Sequence, residues 1–298
     1  MKKRLIKFCG DLVYISKGKI MPFKKLALAI NLSPTGRSLL KEAKRLQSLF
    51  GAELVLIHVG DKDEPTESKI NELSEECGID IDGTKLIWKE GDPAKVIMKA
   101  AEEENVDLLI SGALEKESSI KYFLGSVARR IMRESACSVL ILTSAAERKN
   151  GFKKFAVSTD YSQRSEIAIQ KAYKLALLEK AEEFVAIREF QVPGLSITVS
   201  DSGSLKEIES IKEKWQKEEE EKLNLFVREL NLRGIPVKTV SLFGKEGWEA
   251  NKYAKEHDSD IFVTAAPRKK PKFFDRIFIH SFEFVIKEIS SSLLIIKE

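Results

Sequence analysis

Gly112, Gly125 and Ser126 frame a stretch, ISGALEKESSIKYFLGS over residues 110–126, whose residue types suit the holding of an anion. Glycine has no Cβ, so the backbone can come close to a phosphate. The free N–H groups that open a helix, with the helix dipole behind them, attract its charge. An ordinary strand-to-helix loop uses the same residues, and a short glycine pattern alone does not separate the two readings. Other chemistry is poorly supported. His58, His257 and His280 are scattered without metal-ligand spacing, and each reads more simply as a packing residue. Cys9, Cys77 and Cys137 are odd in number and lack a C-x-x-C spacing, as expected of reduced thiols in a cytoplasmic protein. No positioned base and metal carboxylates surround a phosphate-binding lysine, so the chain is expected not to be an enzyme.

The elements that must position this stretch are legible on either side of it. Lys25–Ile30 (KLALAI) is an apolar strand, and residues 31–36 (NLSPTG) are the turn after it. Leu39, Leu40, Ala43, Leu46, Leu49 and Phe50 then recur at helical steps, until Gly51 stops the helix. Residues 53–59 (ELVLIHV) are apolar almost throughout, as in a strand covered on both faces. A polar helix over 64–77 and a strand over 85–88 follow. Asp92 and Pro93 suit the cap and first position of the next helix, with Val96, Ile97, Ala100 and Ala101 on its apolar face. Residues 106–111 form the strand that delivers Gly112, 126–134 a short helix, and 138–143 a fifth strand. Strands alternating with helices imply a parallel sheet with helices on both faces and right-handed crossovers.

The order then repeats. KFAVSTDYSQRSEIAIQKAYKLA parallels KLALAINLSPTGRSLLKEAKRLQ, and Asp260 stands where Asp107 stands. This reads as a duplicated domain, consistent with 298 residues at roughly 150 per domain. The expected layout is an N-terminal arm over 1–20, one domain over 21–149 and a second over 150–298. The arm only weakly imitates a signal peptide, since Lys7 and Asp11 interrupt its apolar run. The second half differs chiefly in a longer charged helix within 205–232, whose acidic run Glu218 to Glu221 reads as a solvated face. Fifty basic against 46 acidic residues give +4, which argues against nucleic acid as a whole-protein partner. No apolar run reaches the ~18 residues of a membrane span.

Taken together, the first strand and turn (LALAINLS), the strand LVLIHV, the segment EGDPAKVIMKAAEEENVDLLISG and the GS…SVLIL ending resemble the universal stress protein family in its tandem two-domain form. The resemblance spans about 24–143, and more loosely 153–298. It implies an α/β fold of two Rossmann-like domains, each a five-stranded parallel sheet of order 3-2-1-4-5. It also implies a cleft where the first and fourth strands diverge, the place where doubly wound sheets hold ligands. Nucleotide-binding members hold AMP or ATP there, ATP with Mg, on a G-x2-G-x9-G-S/T loop, with an aspartate ending the first strand. Carried onto this sequence, the nucleotide contacts fall on Ala29, Ile30 and Asn31, on Val59, on Ser111, Gly112, Leu114 and Glu115, and on Gly125, Ser126 and Val127. Two positions depart from the pattern. Glu115 replaces the second glycine and Asn31 the aspartate, so a ribose loses a charge-assisted bond and a polyphosphate meets a carboxylate. At ~4 Å that repulsion costs about 1–4 kcal/mol, which AMP would feel least.

In the second half Asp160 matches the aspartate, and Arg268 and Ser281 are the weaker phosphate-side candidates. Ala265 and His280 stand near two glycine positions, and phenylalanines crowd the loop. Two readings remain open: a stress-response protein holding an adenine nucleotide in its first half, and an interaction scaffold whose clefts no longer bind one. The apolar edges SVLIL and SLLII suggest pairing of the fifth strands, between copies in a homodimer or within the chain.

Overall fold

Alternating apolar strands and amphipathic helices build an α/β fold with largely parallel sheet. The computed structural model describes residues 4–8, 11–15, 21–116, 119–143, 151–191, 204–266 and 291–297. The chain divides into two compact units, Met1–Gly151 with Ile286–Glu298, and Phe152–Val285.

The first unit runs β1 (Arg4–Phe8), β2 (Asp11–Ile15), β3 (Lys25–Ile30), α1 (Gly36–Phe50), β4 (Glu53–Val59), α2 (Glu64–Glu76) and β5 (Lys85–Lys89). It continues with α3 (Pro93–Glu103), β6 (Leu108–Gly112), β7 (Leu114–Lys116), β8 (Ser119–Phe123), α4 (Ser126–Glu134) and β9 (Ser138–Leu142). Strands β5, β4, β3, β6 and β9 lie side by side in that order, all parallel. Within the arm, residues 1–20, β1 pairs antiparallel with β2. Leu26, Leu28, Leu109 and Ile110 of the central strands are buried completely, and Leu40, Ala43 and Leu46 of α1 with Ala100 of α3 are buried as fully. Their spacing is the one that marked these helices in the sequence. Asp92 accepts the N–H of Lys95 at 2.9 Å and caps α3, with Pro93 in its first turn.

The second unit holds β10 (Lys154–Thr159), α5 (Gln163–Glu179), β11 (Glu183–Phe190), α6 (Ser204–Glu229), β12 (Val237–Phe243), α7 (Glu249–Glu256) and β13 (Ile261–Ala265). Its four strands run parallel in the order β12, β11, β10, β13. Phe155, Phe184, Ile187 and Val263 fill its core.

Two expectations need correction. The last strand, β14 (Ser292–Ile296), is grouped with the first unit, not with residues 152–285. It pairs antiparallel with β9, Leu294 opposite Leu140, and Ser292 Oγ is 3.2 Å from the N–H of Thr143 that it accepts. The fifth strands thus pair within the chain, and the sheet of the first unit is not wholly parallel. Second, the stretch between Gly112 and Gly125 is no open glycine loop. It carries the short antiparallel pair β7 and β8, with Glu115 opposite Tyr122.

Candidate functional site

The carboxyl ends of β3 and β6 form the mouth of the first sheet. Ile30 ends β3 and is buried, with Ala29 half-buried beside it. Asn31 follows, exposed, and its Oδ1 accepts from the Ser33 hydroxyl at 2.7 Å and, weakly, from the Ser33 N–H at 3.4 Å. The amide is therefore turned onto its own loop. Val59 ends β4, half-buried. His58 places Nδ1 3.2 Å from the Ile30 carbonyl and its ring edge-on to Trp88, centroids 4.6 Å apart. Trp88 in turn donates Nε1–H to the Gly60 carbonyl at 2.8 Å. His58 is thus a packing residue that ties β3, β4 and β5 together at the mouth, as its isolation in the sequence suggested.

On the other side, Ser111 is buried and Gly112 ends β6. A Cβ on Gly112 would stand 2.6 Å from Leu39 Cδ1, so α1 presses on this position and only glycine fits without movement. Gly125 caps α4 with extended backbone, and a Cβ there would stand 2.9 Å from Leu114 Cδ1. Leu114 itself is 43% exposed. The cap residue, a glycine, offers α4 no side-chain acceptor, and the N–H groups that open a helix suit an anion. Ser126 is exposed and Val127 half-buried at this end.

A cleft of about 550 Å³ runs along α4 from its start to its last turn, lined by Leu124, Gly125, Ser126, Arg129, Arg130, Arg133 and Glu134, so that of the residues expected to hold a nucleotide only Gly125 and Ser126 line it. Arg129 donates Nε–H to the Leu124 carbonyl at 2.7 Å, which holds its guanidinium beside Gly125. Arg130 forks onto Asp92 at 2.8 and 2.9 Å and also reaches Glu134. The N–H of Lys95, with Arg130 behind it, holds the Asp92 carboxyl below its ordinary range. Sequence reasoning missed Arg129. Its signal was the i+3 spacing from Ser126, which sets it one turn along the same helix end. Among the described residues no cluster of three or more His, Cys, Asp or Glu could hold a metal.

The mouth of the second sheet is built differently. Asp160 Oδ1 accepts the Ser162 N–H at 3.0 Å and bonds its hydroxyl. Burial raises the Asp160 carboxyl, but these Ser162 donors outweigh it and hold the group below the ordinary range. The strand registers place Arg188 where His58 stands and Glu189 where Val59 stands, since Ile30 faces His58 and Thr159 faces Arg188. Glu189 is buried, and its two oxygens accept the N–H groups of Gly247 and Ala250, each at 2.8 Å. It thereby caps α7 from a neighbouring strand. Arg268, Ser281 and His280 lie outside the described residues.

The acidic run of α6 also needs correction. Glu218, Glu220 and Glu221 are exposed, but Glu219 is buried and takes the Tyr161 hydroxyl at 2.7 Å and Arg188 Nε–H at 3.2 Å. Charge patterning along α6 could not show this, because both partners come from other elements.

Residues 62–143 match the model of the Universal stress protein family. The chain is similar to a universal stress protein of Methanocaldococcus jannaschii, 28% identical over 142 residues, 40% of this chain and 82% of the relative. It is similar to another from Bacillus subtilis, 27% identical over 146 residues, 40% of this chain and 99% of the relative. Among solved structures, a universal stress protein of Archaeoglobus fulgidus superposes with a TM-score of 0.61 at 18% identity, covering 92% of this chain and 98% of that one. At that identity the likeness concerns the fold alone. No helix among the described residues is long and apolar enough to cross a membrane.

Proposed function

We propose, from the premise that the chain belongs to the universal stress protein family, that it is a cytoplasmic, non-enzymatic stress-response protein of two tandem Rossmann-like copies, the first of which binds an adenine nucleotide. The observation that carries this reading is the α4 start. Gly125 and Ser126 lead a helix whose glycine cap offers no side-chain acceptor, under a cleft of about 550 Å³ that Arg129 lines. The helix-opening N–H groups, the helix dipole and a guanidinium together favour a phosphate. On this reading the family pattern assigns Asn31 to the ribose, which requires its amide to turn away from Ser33, and Ala29, Ile30 and Val59 to the base.

AMP is the better ligand, and ATP with Mg the poorer. Leu114 leans on Gly125, and β7 and β8 spend backbone groups on each other that an open glycine loop would offer to further phosphates. Calorimetric titration with AMP, ADP and ATP tests this. Saturable binding of AMP, tighter than ATP and weakened by Ser126→Ala, is expected. Silence from all three nucleotides with a folded protein rejects the reading.

A second reading, an interaction scaffold with closed clefts, is favoured by one observation. Leu39 and Leu114 already occupy the space over Gly112 and Gly125. On that reading Glu115→Gly with Asn31→Asp creates binding that the unaltered chain lacks.

A further inference from the structure

At the carboxyl ends of β10 and β11, Tyr161 and Arg188 hold one carboxylate between them. Tyr161 donates its hydroxyl to Glu219 Oε1 at 2.7 Å, and Arg188 Nε–H reaches the same oxygen at 3.2 Å. The Glu219 side chain is 9% exposed and that of Arg188 23%. The guanidinium lies 5.0 Å from the Tyr161 ring centroid, and Phe226 meets that ring edge-on at 5.3 Å. Tyr161 sits at φ 61, the left-handed region that favours glycine, so the fold accepts some backbone strain to aim this side chain. Burial, then Glu219, pushes the Tyr161 hydroxyl above its ordinary pKa and keeps it a donor. A guanidinium N–H and a phenol converging on one carboxylate oxygen constitute an oxyanion receptor, with its occupant supplied by α6.

Beside this group opens a cleft of about 370 Å³. Arg188 and Glu219 line it with Phe190, Trp215, Lys245 and two further carboxylates, Glu189 and Glu246, while Tyr161 reaches it only through Glu219. Its size is that of small-molecule pockets, and the carboxyl edge of a parallel sheet is where such folds place ligands. Trp215 is 37% exposed, which leaves its indole available as a wall for a flat ring.

We propose that Arg188 and Tyr161 form a second ligand site, held closed by Glu219, which takes a small aromatic molecule bearing a carboxylate or phosphate. The ligand's oxyanion replaces the Glu219 carboxylate on Arg188 and Tyr161, its ring lies on Trp215, and α6 is loosened at Glu219. The physical case is one of substitution. Removing one partner of a largely buried ion pair leaves the other uncompensated, and an external anion can restore the pairing.

The test titrates the full chain calorimetrically with benzoate and with phenyl phosphate, the two probes separating carboxylate from phosphate recognition. Glu219→Gln is expected to bind at least one probe tenfold or more tighter than the unaltered chain. Adding Arg188→Gln should abolish that gain. Glu219→Asp, whose carboxylate is one methylene short of its partners, serves as the second variant and should gain in the same direction. In the unaltered chain, a saturating probe should speed amide exchange around residues 215–226. If neither variant binds either probe tighter, or if the gain survives Arg188→Gln, the proposal is overturned. Unchanged exchange in α6 at saturation overturns it equally.

Discussion

Asp260 Oδ2 accepts the backbone N–H of Lys154 at 2.8 Å, joining the start of β13 to the start of β10. The same oxygen takes the N–H of Lys153 at 2.6 Å. The first unit repeats the device: Asp107 takes the N–H groups of Lys24 at 2.7 Å and Lys25 at 3.1 Å, ahead of β6 and β3. In each unit one carboxylate satisfies two N–H groups that the ladder leaves over at the amino end of the central strands. The opposite, carboxyl end is where the mouth lies. These aspartates therefore serve stability and not ligand binding.

Hydrogen bonds to a charged acceptor contribute about 1.5–3 kcal/mol, and neither aspartate shares a partner with the other. Asp107→Ala and Asp260→Ala should each destabilise by about 1.5–3 kcal/mol, and the double substitution by roughly the sum. Urea unfolding measures this. A loss well below 1 kcal/mol at both positions would contradict the assigned role, and nucleotide affinity at saturating stability should not change.

Much of this was open to reading in the amino-acid order, and the reasons are physical. Asp107 and Asp260 could be matched because each precedes an apolar run of the same length. Asp92 with Pro93 marked a helix start through local capping chemistry. Local rules suffice where the partner is near in sequence. They fail for β14, whose five residues are all buried, so no alternation records which neighbour it pairs with or in which direction. They fail likewise for Gly112, whose glycine is demanded by Leu39 more than seventy residues earlier in the chain. Glu219 is the sharpest case, since one inward carboxylate in a run of four looks like its neighbours until Tyr161 arrives from the turn after β10 and Arg188 from β11.

Two glycines of the first mouth should respond differently to a methyl group. A Cβ on Gly36 would stand 2.5 Å from the Asn31 carbonyl oxygen, a backbone atom that cannot swing aside. Gly36→Ala should cost about 1–3 kcal/mol, the range for forced overpacking. At Gly125 the obstacle is Leu114 Cδ1 at 2.9 Å, the far end of a flexible and partly exposed side chain. Gly125→Ala should cost under about 1 kcal/mol while still displacing Leu114 across the α4 start. Thermal unfolding of the two variants, compared at equal pH, decides. Equal losses would contradict the difference drawn between backbone and side-chain obstacles.

Helices α1 and α5 end alike in backbone but not in residue. Gly51 closes α1 at φ 63, and Lys180 closes α5 at φ 52, both left-handed. Glycine adopts that conformation without a Cβ clash, while lysine adopts it at a cost of about 1 kcal/mol. Lys180→Gly should therefore stabilise the second unit by about 0.5–1 kcal/mol. Against this gain stands only the greater freedom of glycine in the unfolded chain. A shift of the urea midpoint to lower concentration would mean that the Lys180 side chain contributes more than the strain removes.

Glu189 gives the second unit a pH signature. Its carboxyl is buried and accepts the N–H groups of Gly247 and Ala250. Burial pushes it above the ordinary range, and the N–H donors offset only part of that rise. A group whose folded pKa is raised favours the native state when protonated. Its contribution is complete below the unfolded value of about 4.3 and is lost as pH climbs through the folded value. Glu189→Gln keeps the shape, retains one carbonyl acceptor and does not titrate. The stability of the unaltered chain relative to Glu189→Gln should therefore be greatest near about pH 4 and should shrink toward about pH 7. Urea midpoints at three pH values between these limits measure the difference directly, with contributions common to both chains cancelling. A difference that stays constant, or that grows as pH rises, would show that the two backbone N–H groups and the α7 dipole outweigh burial at this carboxylate.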